Sequence, residues 1–264
     1  MLKPSLFVDL KKGVDKISRL VENKIELDMK FEIGIKEKKR RRIWFLDTKT
    51  HSLNKRNRFL LRVRKEIEND EYELTLKCRH PDRYMSASHD LSSPWKNVQF
   101  KFEEDISIPF ISKFSHSASL QGTKMPVLKK IGDLLYLFPN LNLKDIFVTE
   151  SLIKVNNFEP YEVTYKIGTL KLGQKKEIDV YINLWYLENS NKNINPLIVE
   201  MTFNYASKEE SERGSARLEE FALGVVRKTN SFYGLIQDDE IADLHTTKTK
   251  TEFAYDLKTS MNKT

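Results

Sequence analysis

A single cysteine, Cys78, occurs in 264 residues. That excludes an internal disulfide framework and any cysteine-rich zinc site, and it fits a reducing compartment. The five histidines, His51, His80, His89, His116 and His245, are scattered without metal-ligand spacing and read as loop or surface residues. No stretch has the apolar length needed to span a bilayer. The opening MLKPSLFVDLKKGV carries charges where a secretory leader would have its apolar region. The expectation is a cytoplasmic protein with no membrane partner. Solenoid-spaced repeats, low-complexity tracts and an evident domain linker are also missing.

What is present is enough apolar material for a core, 39% of residues with 11% aromatic, and a net charge of +7 that favours an anionic partner. From Leu6 to Val21 the residues Leu6, Phe7, Leu10, Val14, Ile17, Leu20 and Val21 recur at helical spacing. This predicts an amphipathic helix, residues 1–22, packed on the domain that follows at 23–236. A polar tail, 237–264, closes the chain.

After the helix the period becomes two. In IELDMKFE, Glu26, Asp28, Lys30 and Glu32 alternate with Ile25, Leu27, Met29 and Phe31. RRIWFLDT (Arg41 to Thr48) is rich in strand formers. RFLLRVRKE sets Arg62 and Arg64 opposite Leu61 and Val63, and YELTLKCR sets Glu73, Thr75, Lys77 and Arg79 opposite Tyr72, Leu74, Leu76 and Cys78. FKFEEDISI places Lys101, Glu103 and Asp105 opposite Phe100, Phe102 and Ile106. Helical spacing returns between Lys124 and Leu137, then strands resume in DIFVTESLIKV, YEVTYKI, KEIDVYINLWYL and LIVEMTF. Ser207 to Tyr233 is again helical, with Leu218, Phe221, Ala222 and Val225 as its apolar face. The charge run KEKKRRR (Lys36 to Arg42) reads as a solvated hairpin turn.

The charged faces of these strands mix both signs, while the helices need the apolar faces. Together they predict an α+β, mainly β fold: a closed antiparallel eight-stranded tunnel barrel with a charged lumen and flanking helices. Lys30, Arg62, Arg64, Lys77, Arg79, Lys101 and Lys166 would be its bases. Glu26, Asp28, Glu103, Asp105, Glu177, Asp179 and Glu200 would be its acids. Bases suit phosphate oxygens and carboxylate clusters suit Mg²⁺ or Mn²⁺, so a metal-bound polyphosphate would use both.

With these residues placed, the chain resembles the CYTH or triphosphate tunnel metalloenzyme superfamily over about Lys24 to Tyr205. Its Glu-x-Glu-x-Lys opening is met by Glu26, Asp28 and Lys30. WFLDTKTHSLNKRNRFLLRVR supplies Asp47, Thr48, Leu53, Arg62 and Arg64 at matching places; LTLK supplies Lys77, KFEED the next strand, and VEMTF supplies Glu200. The resemblance implies metal binding by Glu26, Asp28 and Glu200, and triphosphate contacts from Lys30, Arg62, Arg64, Lys77, Lys101 and Lys166. It departs from the pattern at Asp28, one methylene shorter than glutamate, at Thr202, where a second acid often stands, and in the short gap after the first strand.

The function this implies is divalent-metal-dependent hydrolysis of inorganic triphosphate, a nucleoside triphosphate or an RNA 5′-triphosphate, with Glu103 as the base toward water. Two alternatives stay open: a binding module that captures polyphosphate or a phosphorylated ligand without cleaving it, and an enzyme like the class IV adenylyl cyclases. Trp44, Trp95 and Trp185 read as packing residues, and Asp47 as either a turn residue or a catalytic one. Substrate and oligomeric state are left open by the sequence.

Overall fold

The computed structural model describes residues 1–24, 29–107, 111–172, 176–187, 194–203 and 248–257. Among them the elements run α1 (Leu10–Lys24), β1 (Met29–Asp47), α2 (Ser52–Lys55), β2 (Phe59–Glu66), β3 (Tyr72–His80), α3 (Arg83–Ala87), β4 (Val98–Ser107), β5 (Ile111–Gly122), α4 (Ile131–Leu137), β6 (Ile153–Lys154), β7 (Tyr161–Leu172), β8 (Lys176–Tyr186), β9 (Ile198–Phe203) and α5 (Lys250–Asp256). The strands hydrogen-bond in the order β4-β5-β3-β2-β1-β7-β8-β9, with β6 beside β1. Neighbouring pairs such as β1–β2, β2–β3, β3–β5, β4–β5, β7–β8 and β8–β9 are antiparallel.

The chain divides into two compact units. One comprises Met1–Arg40 and Tyr161–Thr249, the other Arg41–Pro160 and Lys250–Thr264. The first is held by a core of Leu2, Phe7, Val14, Ile17, Phe31, Ile167, Val180, Ile182, Leu184, Val199 and Met201. Val14 and Ile17 come from α1 and are fully buried, as the three-residue spacing requires. Gly13 lets that helix close on Phe7, since a Cβ there would stand 2.7 Å from the ring. Gly168 follows the bulge in β7 and does the same for β1: a Cβ would meet the Glu32 carbonyl at 2.4 Å and the Phe31 ring at 2.6 Å.

The second unit buries Phe59, Leu61, Val63, Leu74, Leu76, Cys78, Ala118 and Leu120 from β2, β3 and β5 beneath Ile131, Leu134 and Leu137 of α4. These are the alternate residues that period two assigns to one face. Burial pushes the Cys78 thiol up to about 11, so it behaves as an inert apolar group. Asp47 is fully buried at the end of β1. Its carboxylate accepts from the backbone N–H groups of Thr48 (2.7 Å), Leu53 (2.9 Å) and Asn54 (3.1 Å) and from the Tyr255 hydroxyl (3.0 Å). Two of those amides are the unsatisfied donors of the first turn of α2, so Asp47 is a cap and a latch for α5.

The mainly β, antiparallel architecture with few helices agrees with the sequence reading. The pairing does not join β4 to β9 among the described residues, so the sheet is not closed and the barrel is not seen. The charge run Lys36 to Arg42 is not a turn: it lies inside the 19-residue β1. It holds no residue of positive φ, which a two-residue hairpin needs. Its charges are also placed as a strand allows, with Arg40 Nε donating to Glu37 at 3.1 Å and the Tyr165 hydroxyl donating to the same carboxylate at 3.0 Å. The helix expected from Lys124 is shorter, starting at Ile131, and of DIFVTESLIKV only Ile153–Lys154 is strand. Phe100 and Phe102, expected beneath a helix, are 52% and 42% exposed. The Ser207 to Tyr233 helix lies outside the described residues. No helix among those described is long and apolar enough to cross a membrane.

Candidate functional site

In the second unit, register assembles one polar face from four strands. Arg64 pairs Glu73, which pairs Gln121; Arg62 pairs Thr75, which pairs Ser119; Lys77 pairs Ser117, which pairs Lys101; and Arg79 pairs Ser115, which pairs Glu103. Asp105 and Lys113 complete it. Directly opposed residues share a face, so these side chains form rows across the sheet. The small hydroxyls of β5 make a floor, with Ser115 and Ser117 buried and the Thr75 hydroxyl 3.0 Å from that of Ser119. Long cationic side chains stand on both sides of it.

Cations outnumber carboxylates on this face, and the carboxylates are shared. Glu73 Oε1 accepts from Arg64 at 2.8 Å and lies 3.7 Å from the Arg62 guanidinium. Asp105 Oδ2 accepts from Arg79 at 2.6 Å and lies 3.5 Å from Lys77 Nζ, which also donates to Glu103 at 3.3 Å. Burial works against the Glu73 charge, but the Arg64, Arg62 and Arg41 guanidinium charges and the Arg64 hydrogen bond outweigh it and hold the carboxyl at about 2. Burial pulls Lys77 below its usual range, against the opposing pull of Asp105 and Glu103. Among the described residues, the Nε atoms of Arg64 and Arg79 are buried without a hydrogen-bond partner. The guanidinium groups therefore have donor capacity that their carboxylates do not use.

The first unit carries a different polar face. Glu162 is fully buried and accepts from Trp185 Nε1 at 2.8 Å. The Thr164 hydroxyl donates to Asn183 Oδ1 at 2.8 Å. Asn183 Nδ2 lies 3.4 Å from Glu200 Oε2 and 3.5 Å from the Thr202 hydroxyl. Lys166 pairs with Asp179 at 2.5 Å, and that hydrogen bond, ahead of the opposing effect of burial, holds the aspartate below its usual range.

Of the expected phosphate contacts, Arg62, Arg64, Lys77 and Lys101 are brought together in the second unit. Lys166 belongs to the first, and Lys30 falls within β1. Glu103 lies on the cationic face, with its side chain 47% exposed. Glu26 and Asp28 lie outside the described residues. Among those described, no three His, Cys, Asp or Glu side chains converge as a metal site, so Glu200 has no assembled donor set for Mg²⁺ or Mn²⁺ there. The sequence reading passed over Glu73 and the β5 serines as site residues, and it placed Arg79 among the lumen bases without giving it a phosphate contact. The serines had a legible signal, a hydroxyl at every second position of SHSAS (Ser115 to Ser119), but no strong apolar alternation to mark it as a strand.

No known family model matches the chain, and no curated protein matches it. Among solved structures it is similar to HpAC1 from Hippeastrum, a protein assigned as an adenylyl cyclase and described as having a dominant triphosphatase activity. The two are 12% identical over 82% of this chain and 83% of that one, with a TM-score of 0.33.

Proposed function

We propose that the chain takes a triphosphate on the cationic face of β2–β5 and hydrolyses its terminal anhydride bond. The observation that carries this reading is the registered set of Arg62, Arg64, Lys77, Arg79 and Lys101 around a floor of serine and threonine hydroxyls. Guanidinium forks and ammonium groups recognise phosphate oxygens, and hydroxyls donate to the same atoms without adding bulk. Glu103 would take the proton of a water whose oxygen attacks the terminal phosphorus, while the anhydride P–O bond breaks and diphosphate leaves. Lys77 Nζ donates to it at 3.3 Å, which orients the carboxylate on this face. The closed tunnel barrel, the phosphate roles of Lys30 and Lys166, and a requirement for Mg²⁺ or Mn²⁺ at Glu26, Asp28 and Glu200 belong to this proposal through the family resemblance.

A second reading, capture of a polyphosphate without cleavage, is favoured by one local feature. Beside Glu200 stand the amide of Asn183 and the hydroxyl of Thr202, where a metal site would gain from a further acid. The test is phosphate release from inorganic triphosphate, ATP and a 5′-triphosphorylated RNA with Mg²⁺ or Mn²⁺, beside Arg62→Ala and Glu103→Gln. Metal-dependent release that both variants lose supports hydrolysis and names the substrate. Triphosphate binding without release, lost in Arg62→Ala, supports capture.

A further inference from the structure

We propose that Glu73 and Asp105 are resident counter-anions of the phosphate site, which an incoming triphosphate displaces and which set how tightly it is held. This rests on the phosphate-binding reading of the same face. Each carboxylate uses one oxygen to span two cations. Glu73 Oε1 lies between Arg64 (2.8 Å) and Arg62 (3.7 Å), and Asp105 Oδ2 between Arg79 (2.6 Å) and Lys77 (3.5 Å). A phosphate oxygen seeking two positive donors would choose these same two places. The four cations are arranged as two pairs on adjacent strands, and each pair holds one internal anion.

The Glu73 anion cannot be removed by ordinary changes of pH. Glu73, held at about 2, stays ionised throughout the physiological range. The face is thus kept partly neutral in the absence of ligand, which limits the desolvation and repulsion of four neighbouring cations. The affinity lost is the difference between what the carboxylates and the phosphates gain from them. A carboxylate that merely oriented the arginines would act in the opposite direction, because its removal would loosen the donors and weaken binding.

The test is calorimetric titration of the full chain with sodium triphosphate, without divalent ion, for the wild type, Asp105→Asn, Glu73→Gln and Arg62→Ala. A thermal melt of each variant accompanies it. Asp105 has a side chain 45% exposed, so its variant is suited to the test even where Glu73→Gln compromises folding. Removing one negative charge a few ångströms from a bound phosphate is expected to tighten binding on the order of tenfold in Asp105→Asn. It should also steepen the loss of affinity with salt. Wild-type binding that is equal or tighter than that of folded Asp105→Asn overturns the counter-anion role and leaves the phosphate site standing. Absence of binding in the wild type and in every carboxylate variant overturns the phosphate site itself.

Discussion

The two units carry polar sheet faces built from the same alternating pattern, yet they differ in how charge is handled. In the first, the buried Glu162 carboxylate faces an indole N–H, and Thr164 and Asn183 satisfy one another as neutral partners. In the second, Arg62, Arg64, Lys77 and Arg79 share two carboxylate oxygens. Neutral partners consolidate a fold and leave little for a ligand. Shared counter-ions leave unused donors, and this difference favours the second face for the phosphate site proposed above.

The comparison is broken most severely in the first unit. Trp185→Phe removes the indole donor from buried Glu162, and urea unfolding should show a loss of about 3 kcal/mol. A loss below about 1 kcal/mol would mean that the indole bond does not hold this face together. In the second unit the matching dependence is on pH. The folded carboxyl of Glu73 sits at about 2, below its ordinary 4.5, so its contribution is complete above the higher value and is lost as pH falls through the lower one. Relative to Glu73→Gln, the wild type should therefore lose on the order of 2–3 kcal/mol of stability between about pH 6 and pH 2. Parallel acid unfolding curves for the two proteins would contradict the ion-pair account.

Backbone approach in the first unit gives a smaller effect. Gly168→Ala forces a Cβ against the Glu32 carbonyl and the Phe31 ring, and should cost about 1–2 kcal/mol in the same unfolding assay. The smallest change is expected from Lys36→Glu with Lys38→Glu. These positions lie in β1 within the first unit and are not members of the registered cationic rows of β2–β5. Triphosphate affinity at physiological salt should move by no more than about twofold; a tenfold loss would extend the anion site to this strand.

Much of the strand content was legible because alternation survives wherever one face is apolar. Leu61, Val63, Leu74 and Leu76 are buried as their spacing required, and Arg62, Arg64 and Lys77 share the opposite face. What alternation could not convey was pairing. Lys36 to Arg42 has turn-like charge density but lacks turn residues, and the strand simply continues through it. β5 escaped notice because its polar positions are serines, and its neighbours Ala118 and His116 are weak apolar markers. The role of Asp47 depended on the α2 amides and on Tyr255, which is 208 residues away in sequence. Glu73 looked like one more surface charge until register set it beside two arginines.

The central claim is tested most directly by titrating the full chain with sodium triphosphate in a calorimeter, wild type beside Arg62→Ala. The account predicts saturable binding that weakens with salt and falls at least tenfold in the variant, about 1.4 kcal/mol. Equal affinity in a folded Arg62→Ala, or no binding by the wild type, would contradict it.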